Sequence, residues 1–346
     1  MNILIMGGAT WFERKSHAAQ SFYRIAFPLK ELTKHRNDIR IVESASCTMP
    51  EIAGTDCVFI HNPTTTDDIR GIATAKAFGG VKIWLDFDDL TFNDGIPLSN
   101  IAWTMYNSKE ITNALSVAIP AADVISVSTQ TIKDAIVLTF KTSPDKIHVI
   151  PNALPDSLWE GRAKFRPFKP PTAKSPAQIM WRGSVTHEGD LYQFRSGLIE
   201  HPAIAYHFHG AKPWVIDKRY GGTLEHYSYR KWDKGIAEYF ASIHGCNADY
   251  FIVPLEILPF NHAKSNIAWL EATYAGAGCI ATELAEFSTV PCNTFRTAKE
   301  FGRMLKAIGD GADLRTEKYI ESVAIIKGKY LLSVTNKERI KIIDSL

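Results

Sequence analysis

The segment from Asp249 to Thr282, DYFIVPLEILPFNHAKSNIAWLEATYAGAGCIAT, constrains the fold more than any other part of the chain. It reads as an apolar strand (Tyr250–Pro254), a polar loop, an amphipathic helix with Ile267, Leu270 and Tyr274 on its apolar face, a glycine stop and a second apolar strand (Cys279–Thr282). Asn261, Lys264 and Ser265 fall where the helix would begin, and Glu271 lies about two turns along it. Free N–H groups and the helix dipole make such an N-terminus an anion site, and a neighbouring lysine strengthens it. A carboxylate further along can accept hydrogen bonds from a vicinal diol. Diphosphate at one end and ribose hydroxyls at the other are the ligand features this spacing suits.

The rest of the first half alternates short apolar runs with amphipathic stretches. Residues 2–6, 39–43, 56–61, 81–87, 123–128 and 147–150 are expected as strands, with helices over 16–34, 67–78, 108–119 and 132–140. Near-continuously apolar strands separated by helices predict a parallel sheet covered on both faces. Gly7 and Gly8 directly follow the first strand, where backbone can approach a ligand at the carboxyl edge of the sheet. A segment with six prolines between 151 and 176 then marks a linker, and a second alternation follows, with strands over 179–182, 203–209, 250–254 and 279–282. The last thirty residues read as helical with a polar face.

At 346 residues and 45% hydrophobic, the chain can bury two ordinary cores, so two domains are expected. A formal net charge of +2 neither demands nor excludes a polyanionic acceptor. The five cysteines (Cys47, Cys57, Cys246, Cys279, Cys292) have no CxxC spacing, which suits buried free thiols in a reducing cytoplasm. Neither a signal peptide nor an apolar run approaching the ~18 residues of a membrane span is visible, so a cytoplasmic protein without a transmembrane segment is expected.

The Asp249–Thr282 pattern resembles the donor-binding signature of retaining family 4 glycosyltransferases: Pro254 and Leu255 ending a strand, then Phe260, Asn261, Lys264, Ser265 and Glu271, then a glycine-rich return. Two further stretches resemble the same family in the same order. ADVISVSTQTIKDAIVLTFKTSPDKIHVIPNAL (Ala122–Leu154) is similar to its sixth-strand region, and WRGSVTHEGDL (Trp181–Leu191) to the Gly-Ser loop facing the phosphates. The resemblance implies an α/β chain of GT-B architecture, with two Rossmann-like doubly wound domains and an interdomain cleft. Residues 1–160 would be the acceptor-side domain, 161–177 a proline-rich linker and 178–316 the nucleotide-sugar domain. Residues 317–346 would be a helical segment able to cross back onto the first domain. Many members carry two glutamates eight positions apart; eight before Glu271 stands Ala263.

The candidate donor-binding residues are Gly7, Gly8, Arg182, Gly183, Ser184, His187, Asn261, Lys264, Ser265, Asn266 and Glu271. Arg182 can bind phosphate oxygens in a fork beside the exposed N–H groups of a Gly-Ser turn, with Asp190 expected as a helix cap near His187. Lys264 would neutralise a leaving diphosphate. Asp86, Asp88 and Asp89 follow a strand, and Asp88 and Asp89 are candidates for acceptor binding or catalysis. Asp-x-Asp also carries the charge to bind a divalent ion, but the two-half layout does not suit the metal-dependent glycosyltransferase fold, so no metal site is assigned. His61, closing a strand as FIHNP, is a candidate to touch the sugar or take a proton. Basic and aromatic residues interleave over 211–235, among them Trp214, Tyr220, Tyr227, Tyr229 and Trp232, a pattern that suits nucleic-acid or carbohydrate stacking or a plain loop.

The expected activity is transfer of a hexosyl or pentosyl group from a nucleotide-diphosphate sugar, with retention, without metal, and with no cofactor beyond that co-substrate. The acceptor is open among glycan, protein and a modified DNA base. Two rivals remain: a glycosyltransferase acting on modified DNA bases, as viral ones do, and a nucleotide-sugar-binding relative that has lost turnover, motivated by Ala263.

Overall fold

The computed structural model describes residues 1–6, 21–44, 49–92, 109–213, 226–231 and 235–346, with positions 96, 98, 100, 103, 216 and 224 between them. Gly7, Gly8, Trp214, Tyr220 and Trp232 lie outside the described residues.

The first sheet consists of β1 (Asn2–Met6), β2 (Arg40–Ser44), β3 (Cys57–His61), β4 (Lys82–Phe87), β5 (Val124–Val127) and β6 (Ile147–Val149), in the order β2-β1-β3-β4-β5-β6. Every pairing is parallel. The two-residue period of a strand divides the apolar runs between two cores. Leu4, Val58, Ile60, Ile83 and Leu85 face one side with Ile72 and Leu115 from helices Thr66–Phe78 and Lys109–Ala121. Ile3, Ile5, Phe59 and Trp84 face the other with Leu29 from helix Ala26–His35. Both faces are covered, which is why these strands read as apolar throughout.

The second sheet has β7 (Ala177–Gly183), β8 (Ile204–Gly210), β9 (Tyr227–Arg230), β10 (Tyr250–Val253), β11 (Gly278–Thr282) and β12 (Asn293–Phe295), ordered β12-β11-β10-β7-β8-β9 and again parallel. The connections leaving β7 and β10 run to opposite sides, so a crevice opens beyond the carboxyl ends of these two neighbours. The chain thus has the GT-B architecture, two Rossmann-like doubly wound sheets with a cleft between them.

Three expectations are corrected here. The helix Ile267–Tyr274 is not amphipathic: Ala268 through Tyr274 are all buried, and Trp269 Nε1 donates to Ser322 Oγ (2.8 Å) of the overlying helix Thr316–Lys329. The 211–235 stretch contains edge strand β9, whose alternation is too short to stand out among charged residues; its Tyr227 and Tyr229 pack toward the second core rather than forming an open stacking surface. Asp190 does not cap a helix but sits within Glu188–Gln193, buried.

The chain crosses back at its end. Leu154 N–H donates to the Tyr330 carbonyl (2.9 Å) and Leu332 N–H to the Leu154 carbonyl (3.0 Å). The helix Leu332–Ser345 then lies on the first domain, with Ile342 and Ile343 in the same core as Leu29, and with Asn336 donating to the Pro28 carbonyl (3.0 Å).

Candidate active site

A cavity of 460 Å³ occupies the crevice beyond β7 and β10. The second domain lines it with Arg182 near the end of β7, Ser184, Thr186 and His187 after it, Pro254 and Leu255 after β10, and Lys264, Ser265, Ile267, Ala268 and Glu271; the first domain contributes Asp88, Asp89 and Asn152. Glycine at 183 is required by packing, since a Cβ there would lie 2.3 Å from the Trp181 ring.

At one end the helix Ile267–Tyr274 presents its N-terminus. Trp269 N–H already donates to the Asn266 carbonyl (3.0 Å), while Ile267 and Ala268, whose N–H groups precede any acceptor of the helix itself, line the cavity. Ala263, Lys264 and Ser265, just ahead of the N-cap residue Asn266, are clasped to the first domain. Thr129 Oγ1 donates to the Ala263 carbonyl (3.1 Å), Lys264 Nζ pairs with Asp89 Oδ1 (2.8 Å), and Asn152 Nδ2 donates to Ser265 Oγ (2.8 Å). Lys264 also lies over the Phe260 ring at 4.3 Å. Burial disfavours its charge, but Asp89, with Asp88 behind it, outweighs burial and raises its pKa. Ala263 is fully buried with Phe260 in the first domain's core, so this position sends no side chain toward a ligand.

Further along the helix Glu271 is 2% exposed and is engaged at both oxygens. Its Oε1 accepts from Tyr23 (2.8 Å), its Oε2 accepts from Tyr239 (2.8 Å), and Oε2 also pairs with Arg182 Nε. Burial pushes the Glu271 pKa up, and Arg182 and the two hydroxyls oppose that. Tyr23 belongs to the first domain, yet Phe22 and Tyr23 pack into the second domain's core beside Tyr239 and Phe240.

The Gly-Ser loop is ordered by a relay. His187 Nδ1 is 2.8 Å from Asp190 Oδ2, while Asp190 Oδ1 accepts from Glu256 N–H (2.8 Å) and Asn261 Nδ2 (2.7 Å). Ser184 and Thr186 share a hydroxyl contact of 2.5 Å.

Across the cleft, Asp86 is a buried hub rather than a ligand-facing group. Arg24 grips both its oxygens (3.0 and 2.5 Å), Ser126 donates to Oδ2, and His61 Nδ1 is 2.8 Å from Oδ1. His61 Nε2 lies 3.4 Å from Asp88 Oδ1, which also accepts from Asn62 Nδ2 (2.9 Å). Burial alone would lower the His61 pKa, but the Asp88 charge and the bonds to Asp86 and Asp88 raise it to about 9. Burial works against the Asp88 charge as well, and His61 and Asn62 hold its pKa below the usual range. His61 therefore stands behind Asp88 and does not line the cavity.

Of the residues singled out from the sequence, Arg182, Ser184, His187, Lys264, Ser265, Glu271, Asp88 and Asp89 converge on one cavity. Gly183 and Asn261 shape its loops from outside the lining, and Asn266 turns away to Tyr330 (3.1 Å). Tyr23, Tyr239 and Thr186 were not picked out, since nothing in their local pattern separates them from core or loop residues, and Asn152 stood only within the stretch Ala122–Leu154 with no site role assigned. Among the described residues no group of three or more His, Cys, Asp or Glu side chains is placed to hold a metal ion, and no helix is long and apolar enough to cross a membrane.

The architecture defines a GT-B protein with a crevice beyond the carboxyl ends of β7 and β10. Solved structures with this fold span the whole chain. Anabaena HepE in complex with UDP-glucose aligns with a TM-score of 0.64 at 11% identity, covering 100% of both chains. An alpha-glucosyltransferase in complex with UDP-glucose and DNA containing an abasic site gives 0.65 at 10% identity, over 99% of this chain and 98% of that one. The UDP-GlcNAc 2-epimerase of Neisseria meningitidis, bound to UDP-GlcNAc, gives 0.55 at 11% identity over 100% of both chains. No protein-family model matches the chain, and no curated protein sequence does.

Proposed function

We propose that the protein is a glycosyltransferase that moves a hexosyl or pentosyl group from a nucleotide-diphosphate sugar to an acceptor hydroxyl, with retention and without a metal ion. The observation that carries this reading is the union, in one 460 Å³ cavity, of a helix N-terminus with Lys264 and Ser265, a carboxylate further along the helix, and Asp88 from the opposing domain. In this reading the diphosphate lies against the first-turn N–H groups, Lys264 and the hydroxyls of Ser184 and Thr186, with His187 beside them. Glu271 takes the ribose. Asp88, oriented by His61 and Asn62, accepts a hydrogen bond from a sugar or acceptor hydroxyl, while the leaving phosphate takes the acceptor proton. The UDP-sugars held by similarly folded proteins support uridine diphosphate as the nucleotide. A cytoplasmic setting belongs to the same proposal and agrees with the free thiols of Cys57, Cys246, Cys279 and Cys292.

A panel of nucleotide sugars read by thermal shift, followed by assays of transfer and of slow donor hydrolysis, tests the reading. Stabilisation by UDP-sugars with release of UDP is expected. Conversion of a UDP-sugar to its epimer without transfer would make it an epimerase instead, and binding without turnover would leave a non-catalytic binder.

One observation favours a narrower second reading, an acceptor on DNA: a structure of the same fold has been solved with UDP-glucose and DNA together. Salt-dependent retardation of duplex DNA by the purified protein is expected on that reading. No binding at low ionic strength would remove it.

A further inference from the structure

Glu271 has little acceptor capacity left. A carboxylate offers roughly four acceptor positions. Three are taken up from within the chain: Oε1 by the Tyr23 hydroxyl, and Oε2 by the Tyr239 hydroxyl and by Arg182 Nε, which is packed against it as an ion pair. The carboxylate lines the cavity, yet a diol seeking two hydrogen bonds would find one position, on Oε1. The two tyrosines approach from opposite sides of the domain boundary, and both are buried in one aromatic cluster with Phe22 and Phe240, so neither hydroxyl can swing away at little cost.

We infer that Tyr23 and Tyr239 are positioning residues that set nucleotide specificity, because by occupying Glu271 they leave it able to read a single ribose hydroxyl. The inference rests on the nucleotide reading above and adds to it an asymmetry between the two hydroxyls of the ribose. Removing the Tyr23 hydroxyl opens the second position on Oε1, so a variant that has lost a hydrogen bond gains a contact to ligand. A tyrosine with a merely structural role would not produce that change in discrimination.

Calorimetric titration of the full chain with UDP, 2′-deoxy-UDP and 3′-deoxy-UDP tests this. The wild type should bind one deoxy analogue about tenfold more weakly than UDP and the other nearly as well as UDP. Tyr23→Phe should lose affinity for both analogues relative to UDP. Tyr239→Phe, which frees a position on the other oxygen, is a second variant expected to broaden the discrimination in the same way. UDP binding by the wild type with equal losses for the two analogues, or with none, overturns the inference and leaves the nucleotide reading standing. Unchanged discrimination in both tyrosine variants also overturns it. No binding of UDP by the wild type overturns the UDP reading and this inference with it.

Discussion

Lys264 and Asp89 form a 2.8 Å pair between side chains only 19% and 24% exposed, so on the proposed function a diphosphate entering the cavity would compete with a carboxylate already in place. Lys264→Ala removes a charge-assisted contact worth about 1.5–3 kcal/mol and should weaken UDP binding roughly ten- to a hundredfold with the fold intact. Asp89→Asn should act in the opposite direction, tightening UDP by freeing the ammonium. Titration of both variants checks the pair; unchanged affinity in each would remove Lys264 from the diphosphate site. The His61 cluster gives a second prediction. Its folded-state pKa of about 9 lies above histidine's ordinary 6.5, so protonation favours the folded state. That stabilisation is complete below pH 6.5 and is lost as pH rises through about 9. Denaturant midpoints should fall across this window in the wild type and fall less in His61→Gln. An equal decline in the two proteins would show that other groups carry the pH dependence.

The helix Ile267–Tyr274 is the element on which the site depends, and its burial on all sides is what fixes the direction of its N-terminus. Trp269, 1% exposed and hydrogen-bonded to Ser322, anchors it to the helix above. Trp269→Ala should destabilise the protein by about 3–5 kcal/mol, read as a shift in the urea midpoint. A shift under about 1 kcal/mol would mean that the helix is held elsewhere. The existence of this element and its place between two strands were legible in the sequence, because the glycine stop and the flanking apolar runs are local signals. Its full burial was not. Spacing of Ile267, Leu270 and Tyr274 marks one face, but the small and polar residues on the other faces, Ala268, Ala272 and Thr273, are as compatible with close packing as with solvent.

At the scale of the whole molecule, the C-terminal helix Leu332–Ser345 makes the first domain dependent on the last residues of the chain. Ile342 and Ile343 complete the core that contains Ile3, Phe59 and Trp84, and Arg36 pairs with Asp344 at 2.9 Å. A chain ending at Leu331 should therefore lose stability in its first domain, seen as a lowered or split thermal transition. An unchanged single transition would refute that dependence. On the proposed function, with Lys264 and the helix N-terminus supplying the positive potential for a leaving diphosphate, transfer should also persist in EDTA; loss of activity restored by manganese or magnesium would reassign that role to a metal.

The sequence by itself determined the alternation of strands and helices, ten strand positions to within two residues, and the presence of a helix between the strands Tyr250–Val253 and Gly278–Thr282. These are local properties, written in period, capping and punctuation. The short edge strands Tyr227–Arg230 and Asn293–Phe295 escaped because three or four residues carry too little period to register. Only the tertiary structure decided the partnerships that give each site residue its role. Lys264 faces Asp89 across 175 positions of sequence and Glu271 meets Tyr23 across 248. His61 is set behind Asp88 by a strand pairing that brings His61 opposite Asp86. Hydrophobic pattern reports that a face is buried and carries no information about which distant group it is buried against, so the charges of the cleft could be found in the sequence but not paired there.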